Sequence, residues 1–258
     1  MISEQVLKEV EAVARQAGAA IMKYYEANDF ATRIAVQAKG DESPLTLADL
    51  AAHEIIHTQL TNISNDTLAN LPQLSEESAA ISWKERQNWQ TYWLIDPLDG
   101  TKEFIKRNGE FTVNIALIHQ HQPVAGVVYA PAIDTMYSAA QQLGAFKNST
   151  PIWARQNPDP EKLKVVGSRS HQSPDMQAYL DKLKQPYEMV PMGSSLKLCL
   201  IAESAADLYP RLGPTSEWDT AAAHAIVLAA GGEVNTLEHK PLSYSTKESL
   251  LNPHLIAK

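Results

Sequence analysis

Two aspartates separated by two residues, Asp96 and Asp99, follow an apolar and aromatic run that is typical of a buried strand. Pro97 fixes one backbone angle between them, and Gly100 permits tight backbone geometry, so both carboxylates can reach the same small volume. The carbonyl oxygen of Leu98 could add an uncharged ligand. Ligation by oxygen alone favours Mg²⁺ or Mn²⁺ over zinc. The pattern Asp-Pro-x-Asp-Gly is also good β-turn chemistry, so a purely structural interpretation stays open.

Two further acidic residues fall at the ends of predicted elements. Glu76 follows an apolar pair, where it is either part of a solvated loop or cap, or a third carboxylate for a metal site. Asp219 opens an alanine-rich helix as a natural N-cap, and an N-cap aspartate can lend its other oxygen to a metal. Four unpaired carboxylates in one cleft would repel one another, so we expect cations to compensate them. Two cations about 3.5–4 Å apart could clamp a phosphate group.

Water that attacks a phosphate also needs a base or an orienting group, and Thr101 with Asp49 supplies a hydroxyl and a carboxylate. Thr46 and Asp49 form a T-x-x-D capping pattern at the start of a helix, and from the residues alone capping is the stronger interpretation of Asp49. Lys197 lies in the first turn of a later helix, where it opposes the helix dipole unless an anion binds nearby. An equally good interpretation is that Lys197 is an exposed surface lysine with no ligand.

The helix that follows Thr46 contains a literal H-E-x-x-H, formed by His53, Glu54 and His57. Two histidines at positions i and i+4 share a helix face and could bind zinc, with Glu54 as the base. Glu76, nineteen residues after His57, lies where one class of metalloproteases places its third ligand. The motif is short and leaves the acidic turn unexplained, so a zinc metalloprotease is the remote alternative.

Composition limits the possible functions. A chain of 258 residues can bury a substantial core as one α/β unit or two modest subdomains. Its formal net charge of −8 argues against nonspecific binding to nucleic acid or acidic membranes. The single cysteine, Cys199, excludes an internal disulfide and fits a reducing compartment. We find no signal-peptide pattern and no apolar run near the ~18 residues of a membrane span, so we expect a soluble protein.

Periodicity places these residues on predicted elements. Helices are predicted over residues 4–27, 46–60, 174–184, 196–205 and 217–230. The second carries Leu47, Ala51 and Ile55 on one apolar stripe, with Ile56 and Leu60 beside it. Strands are predicted over 92–95, 111–118, 124–129, 136–140 and 164–166, the earlier ones as antiparallel hairpins. A linker is predicted at 156–160, after which strands and helices alternate. The chain is therefore predicted to have an N-terminal part, 1–155, and a C-terminal part, 156–258.

Several ordered motifs together resemble the signature set of the inositol monophosphatase superfamily of Mg²⁺-dependent, lithium-sensitive phosphatases. The longer form over residues 99–104 is similar to its 3′(2′),5′-bisphosphate nucleotidase branch, and the likeness covers essentially the whole chain. The matching motifs are Glu76-Glu77-Ser78, Asp96-Pro97-Leu98-Asp99-Gly100-Thr101, Asp99-Gly100-Thr101-Lys102-Glu103-Phe104, Ser168-Arg169-Ser170-His171, Gly193-Ser194-Ser195-Leu196-Lys197, residues 208–215 and Trp218-Asp219.

The resemblance implies an α/β protein with the layered αβαβα sugar-phosphatase fold, an α+β N-terminal part and an α/β C-terminal part. It implies removal of the 3′-phosphate of 3′-phosphoadenosine 5′-phosphate (PAP) to give AMP and phosphate, a disposal step of sulfate assimilation, with the sulfated nucleotide PAPS as a second candidate substrate. Hydrolysis of inositol monophosphate or fructose 1,6-bisphosphate is the alternative within the superfamily. A regulator that binds adenine nucleotides without turnover is a non-enzymatic alternative.

Carried over residue by residue, the resemblance assigns roles to the motif residues. Asp49 and Thr101 activate the attacking water, which replaces capping as the interpretation of Asp49, while His53 and His57 become surface and packing residues. The cofactor is Mg²⁺, as two or three ions, with Mn²⁺ as a substitute and Li⁺ as an inhibitor. The branch is cytoplasmic, and some members attach peripherally to the inner face of the cytoplasmic membrane; the oligomeric state is left open. The implied metal ligands are Glu76, Asp96, the Leu98 carbonyl, Asp99 and Asp219, and the implied substrate contacts are Gly100, Thr101, Ser168, His171, Gly193, Lys197 and Asp219.

Overall fold

The structure, a computed structural model, describes residues 2–27, 37–38, 44–156, 161–167 and 174–258. Ser168, His171 and nearly all of the predicted linker at 156–160 lie outside the described residues. The helices in these ranges are α1 (Glu4–Tyr25), α2 (Leu47–Leu60), α3 (Asp66–Ala69), α4 (Trp83–Arg86), α5 (Thr101–Ile105), α6 (Pro174–Leu180), α7 (Leu196–Ala202) and α8 (Glu217–Ala229), with 3₁₀ turns at Glu76–Ser78 and Pro131–Ile133.

The strands in the same ranges include all those predicted from the sequence. They are β1 (Gln37–Ala38), β2 (Pro44–Leu45), β3 (Gln73–Ser75), β4 (Thr91–Asp99), β5 (Thr112–His119), β6 (Gln122–Ala130), β7 (Thr135–Ala140), β8 (Gly144–Lys147), β9 (Thr150–Ile152), β10 (Leu163–Gly167), β11 (Tyr187–Pro191), β12 (Tyr209–Arg211), β13 (Val234–Thr236) and β14 (Leu255–Ala257).

A central sheet joins seven of the described strands in the order β3-β4-β5-β6-β7-β8-β9. β3 runs parallel to β4, and the remaining neighbouring pairs are antiparallel, which confirms the predicted hairpins. Tyr92 and Leu94 of β4 face one hydrophobic core, whereas Trp93 and Ile95 face the other. A strand that is buried on both faces has a continuous apolar run, and this is the pattern seen before Asp96.

Helices cover both faces of the central sheet. α1 and α2 pack on one face, and α8 packs on the other with α7 beside it. A Cβ added at Gly126 of β6 would stand 2.1 Å from the carbonyl oxygen of Ala222, so the alanine-rich α8 lies directly against the sheet backbone. This layered arrangement confirms the predicted α/β fold class.

Three smaller sheets complete the described part of the chain, and in the first of them β1 pairs with β2 in antiparallel orientation. β10 pairs in parallel with β11, and β14 lies between β12 and β13 in an antiparallel sheet. Strands and helices alternate here as predicted, but α6 and α7 end earlier than the sequence indicates. α7 ends at Ala202 because the chain soon enters the left-handed region at Ser204, with φ +62°, which a helix cannot continue. The division at residue 155 stays a prediction.

The predicted apolar stripe of α2 is wrong by one residue, although Ile56 and Leu60, which were predicted beside it, are buried. Leu47 is 42% exposed, whereas Ala48, Ala52 and Ile56 are buried. The reason lies at the N-terminus of α2, where Asp49 is buried and hydrogen-bonded to the residue before the helix. This cap turns the helix so that the stripe beginning one residue later faces the core.

The predicted end of β4 at Ile95 is also wrong. The strand continues through Pro97 to Asp99, and its pairing with β5 shifts register between Asp96 and Asp99. The irregularity accommodates a proline that cannot donate a ladder hydrogen bond. It places both aspartates in the sheet rather than in a separate turn.

Within the described ranges, no helix combines the length and apolar character that a membrane crossing requires.

Candidate active site

The two aspartates of β4 are each anchored through one carboxylate oxygen. Asp96 is 1% exposed, and its Oδ1 accepts a hydrogen bond from the backbone N–H of Leu98 at 3.1 Å. Asp99 Oδ2 accepts hydrogen bonds from the backbone N–H and the hydroxyl of Ser195, at 2.6 and 2.7 Å. The second oxygen of each carboxylate accepts no hydrogen bond from the described part of the chain.

Asp49 lies in the first turn of α2 and makes a capping interaction. Its Oδ2 accepts hydrogen bonds from the backbone N–H of Thr46, at 2.8 Å, and from the Thr46 hydroxyl. Its Oδ1 accepts the hydroxyl of Thr101 at 3.4 Å. The Thr101 hydroxyl also lies 3.3 Å from the carbonyl oxygen of Leu98, so Asp49 and Thr101 are joined as predicted.

Asp219 occupies the equivalent position in the first turn of α8. Its Oδ2 accepts a hydrogen bond from the backbone N–H of Ser216 at 2.9 Å. Ser216, not Asp219, is therefore the N-cap, and the predicted N-cap assignment is wrong. An acidic side chain three residues after the cap can fold back onto the cap N–H, which explains why the helix begins before Asp219.

Glu76 reaches the site through the parallel pairing of β3 with β4. Ser75 is paired with Ile95. The next residue in each strand direction is Glu76 after Ser75 and Asp96 after Ile95, so these two residues lie at the same level of the sheet. The Ser75 hydroxyl accepts the backbone N–H of Glu77 at 3.4 Å, which shapes the 3₁₀ turn that contains Glu76. Short-range sequence signals do not reveal this parallel pairing.

The charges of these carboxylates act on one another. Burial raises the pKa of Asp96 well above its ordinary value, and the charges of Glu76, Asp99, Asp219 and Asp49 raise it further. Burial and the charge of Asp99 likewise raise the pKa of Asp219. The ionised forms of these groups therefore need positive charge nearby.

The donor set fits a hard cation. It consists of carboxylate oxygens and one backbone carbonyl, which are the ligands that Mg²⁺ takes. In the residues that the structure describes, no group of three or more His, Cys, Asp or Glu side chains is arranged to hold a metal ion as it stands. The fit consequently rests on oxygen chemistry and unpaired carboxylate charge.

A cavity of about 380 Å³ opens at this place. Glu76, Asp99, Thr101 and Asp219 line one part of it, together with the indole of Trp218. The structure therefore brings these residues from three separated motifs to one cavity. Asp49 and Asp96 are buried next to them rather than on its wall.

Gly193 and Lys197 flank the N-terminus of α7. A Cβ at Gly193 would lie 2.9 Å from the carbonyl oxygen of Glu110, so only glycine fits there. Lys197 is half-buried, and its Nζ donates to the carbonyl oxygen of Ser194 at 2.6 Å. Burial lowers the pKa of Lys197 to about 8, although the charge of Asp99 opposes that shift. Lys197 is therefore not the exposed lysine of the alternative interpretation.

Two residues near the site were not singled out from the sequence. Arg211 of β12 donates to the carbonyl oxygen of Pro214 at 2.8 Å, and its buried Nε has no partner among the described residues. Its charge lowers the pKa of both Asp219 and Lys197. Asn114 of β5 donates to Ser195 Oγ at 2.8 Å and to Asp99 at 3.3 Å. A lone amide in an otherwise apolar strand was the available signal for it.

The histidines of the H-E-x-x-H pattern face β3. His53 Nδ1 is 2.9 Å from Ser75 Oγ, and His57 Nδ1 is 3.0 Å from Gln73 Oε1. The rings stack with their centroids 5.8 Å apart. These contacts join α2 to the edge of the sheet, and they leave the metalloprotease alternative without support.

Comparisons with known proteins give a consistent result. The profile of the Inositol monophosphatase family matches residues 3–258. The chain is 49% identical to "3′(2′),5′-bisphosphate nucleotidase CysQ" of Escherichia coli (strain K12) over 249 residues, which cover 96% of this chain and 97% of that protein. It is 37% identical to the protein of the same name from Haemophilus influenzae, over 99% of this chain and 93% of the relative.

Solved structures agree with these sequence matches. The crystal structure of CysQ from Bacteroides thetaiotaomicron superposes with a TM-score of 0.82 at 40% identity, covering 99% of this chain and 97% of that one. An inositol monophosphatase from Anabaena superposes with a TM-score of 0.74 at 25% identity, covering 98% and 89% of the two chains.

Proposed function

Because the chain belongs to the inositol monophosphatase family, we propose that it is a 3′(2′),5′-bisphosphate nucleotidase that removes the 3′-phosphate of PAP to give AMP and phosphate. The bisphosphate nucleotidases that it resembles at 49–50% identity over 96% of the chain support this substrate over inositol monophosphate or fructose 1,6-bisphosphate. The observation that carries the chemistry is that Thr101 and Asp219 line one cavity, with Asp49 and Asp96 buried next to them. The reaction would dispose of a by-product of sulfate assimilation.

Asp49 and Thr101 act on the attacking water in this proposal. The Thr101 hydroxyl donates to Asp49 Oδ1 and thereby presents its own lone pairs toward a water molecule. The proton that the water loses as it attacks phosphorus passes to Thr101 Oγ1 while the Thr101 hydroxyl proton passes to Asp49 Oδ1, and the leaving 3′-oxygen takes a proton from solvent. The capping bonds from Thr46 to Asp49 Oδ2 hold this carboxylate still during the step.

The family depends on Mg²⁺, and the residues that would hold it are Glu76, Asp96, the Leu98 carbonyl, Asp99 and Asp219. When bound, Mg²⁺ supplies positive charge for the phosphoryl group and lowers the pKa of a coordinated water. Two or three ions, replacement by Mn²⁺ and inhibition by Li⁺ belong to this proposal. The protein's part is to fix the carboxylates of Asp96, Asp99 and Asp219, each by one oxygen bonded to the backbone.

Cationic side chains from the C-terminal part of the chain are proposed to bind the nucleotide. Lys197 and Arg211 lie near Asp219, and their charges suit the phosphate that is retained in AMP. Gly193 and Gly100 remain predicted substrate contacts, and the structure gives each a local reason for glycine: Gly193 packs against Glu110, and Gly100 has φ +88° at the start of α5. Ser168 and His171 remain predicted contacts outside the described residues.

A substrate panel tests the proposal. Phosphate release from PAP, PAPS, inositol 1-phosphate and fructose 1,6-bisphosphate would be compared by kcat/KM with Mg²⁺, with Mn²⁺, with EDTA and with added Li⁺. We expect PAP turnover that requires Mg²⁺ and falls with Li⁺. A clear preference for the inositol ester would overturn the substrate assignment, and tight PAP binding without phosphate release would favour the regulator.

The same proposal places the protein in the cytoplasm, where the buried thiol of Cys199 stays reduced. Cell fractionation would measure any share attached to the cytoplasmic face of the inner membrane. Light scattering would establish the oligomeric state.

A further inference from the structure

The hydroxyl of Ser195 lies between two of the proposed metal ligands. Its Oγ is 2.7 Å from Asp99 Oδ2 and 2.6 Å from the backbone carbonyl oxygen of Asp219. Asn114 Nδ2 donates to the same Oγ at 2.8 Å. Ser195 is only 4% exposed, and Asn114 is 1% exposed, so this small network is shielded from water.

The proton count of the network explains why a hydroxyl is needed there. A serine hydroxyl has one proton to donate and two lone pairs to accept with. The Asn114 amide fills one lone pair, and the single proton of Ser195 is shared between the Asp99 carboxylate and the Asp219 carbonyl. No other described side chain is hydrogen-bonded both to Asp99 and to the Asp219 backbone.

The elements that meet at Ser195 come from distant parts of the chain. Asp99 ends β4, Asn114 lies on β5, Ser195 precedes α7, and Asp219 lies in the first turn of α8. The backbone N–H of Ser195 also donates to Asp99 Oδ2, so the segment that contains Gly193 and Lys197 is attached to the same carboxylate. The spacing between Asp99 and Asp219 therefore depends on this residue.

We propose that Ser195 is a positioning residue that sets the separation of Asp99 and Asp219 and thereby the affinity for divalent cations. The inference rests on the proposed function, because it takes both aspartates as metal ligands. Ser195 itself does not contact the ion; it acts by orienting groups that do. Outer partners of metal ligands typically contribute 10–100-fold to metal affinity or activity.

Calorimetric titration with MgCl₂ alone, in the absence of nucleotide, tests the inference. Ser195→Ala removes the hydroxyl bonds to both partners and keeps the backbone N–H that donates to Asp99. We expect its Mg²⁺ affinity to fall about 10–100-fold relative to the unmodified protein. Ser138→Ala is the matched control, because Ser138 is a buried serine of β7 that is not hydrogen-bonded to either aspartate, and its Mg²⁺ affinity should be unchanged.

A purely structural role for Ser195 would lower the thermal midpoint without changing the Mg²⁺ dissociation constant, so both are measured. Mg²⁺ affinity within twofold of the unmodified protein would overturn the inference and leave the proposed function intact. If Ser195→Ala does not fold, Asn114→Ala replaces it in the titration. We expect its Mg²⁺ affinity to fall about 10-fold, and an affinity within twofold of the unmodified protein would again overturn the inference. Absence of Mg²⁺ binding in the unmodified protein would overturn the proposed function as well.

Discussion

The N-termini of α2 and α8 have the same capping pattern, but the second oxygen of the capping aspartate differs in its contacts. Each helix follows a hydroxyl residue, Thr46 or Ser216, and each carries an aspartate three residues later whose Oδ2 accepts the N–H of that residue. In α2 the Thr46 hydroxyl accepts the N–H of Ala48 at 3.2 Å and also donates to the Asp49 carboxylate, whereas in α8 the Ser216 hydroxyl accepts the backbone N–H of Asp219 in a capping box. Both oxygens of Asp49 are hydrogen-bonded, but Asp219 Oδ1 has no partner among the described residues.

This difference shows that capping and chemistry are not competing interpretations of one aspartate. A carboxylate has two oxygens, and a cap uses only one of them. The remaining oxygen of Asp49 is directed to a hydroxyl, which suits proton transfer, whereas that of Asp219 is available to a cation. The cap fixes the orientation that either role requires.

Replacing each aspartate by asparagine is the strongest test of this comparison. Asp49→Asn and Asp219→Asn should each lower kcat/KM for PAP about 1,000-fold, because a base or several kcal/mol of charge stabilisation is lost. Calorimetry should separate them: Asp219→Asn loses Mg²⁺ affinity, whereas Asp49→Asn keeps it. Asp66→Asn, in the first turn of α3, controls for loss of a helix-terminal charge. Equal Mg²⁺ affinity in the two site variants would show that the N-termini do not differ in role.

Stability without metal should change in opposite directions in the same two variants. The folded-state pKa of Asp219 is raised by burial and by Asp99, so its ionised form destabilises the fold at high pH and its protonation relieves this as the pH falls. In EDTA at pH 8, Asp219→Asn should therefore be more stable than the unmodified protein by about 1–3 kcal/mol, and less so at pH 5. Asp49→Asn should be destabilised by about 1–2 kcal/mol, because it disturbs three hydrogen bonds.

Urea unfolding at both pH values measures these differences. A destabilised Asp219→Asn protein at pH 8 would contradict the assignment of Asp219 as an uncompensated, half-buried charge. Restoring saturating Mg²⁺ should remove the advantage of this variant, since only the unmodified site gains from the ion.

The hydroxyl caps provide the smallest expected effect. Thr46→Ala should cost about 1–2 kcal/mol of unfolding free energy, because the hydroxyl contacts both Ala48 N–H and Asp49. Ser216→Ala should cost less, about 0.5–1 kcal/mol, since its hydroxyl makes the capping-box bond to the Asp219 N–H without the second bond that the Thr46 hydroxyl makes to its own aspartate. Equal losses in urea titrations would show that the two caps are equivalent after all.

The elements of this fold were largely predictable because they depend on local periodicity and burial. The strand before Asp96 is apolar on both faces, and α1 buries Val6, Val10 and Val13 at helical spacing. The buried face of α2 was predicted wrongly because Leu47 and Ala48 are both apolar, so the sequence pattern fits either as the start of the stripe. In the structure the helix is capped by Thr46 and Asp49, and Ala48 faces the core. The N-cap of α8 was misassigned by three residues because serine and aspartate are both good caps.

The site was predictable only in part. Glu76, Asp99, Thr101 and Asp219 belong to recognisable motifs, and the structure places them on one cavity. The network of Asn114 with Ser195 depends on pairing between elements far apart in sequence, which no local pattern encodes. The assigned roles of these residues, and those of Ser168 and His171, remain predictions.

The close contact between Gly126 of the sheet and the backbone of Ala222 has a practical consequence for engineering this enzyme. The α8 backbone rests on the sheet with no side chain as a spacer, so any substitution at Gly126 would lift the helix and carry Asp219 with it. Combinatorial libraries aimed at new phosphate esters should therefore leave this contact invariant. Diversity is better introduced at Lys102, Thr215 and Leu251, which line the cavity and whose side chains do not support α8 against the sheet.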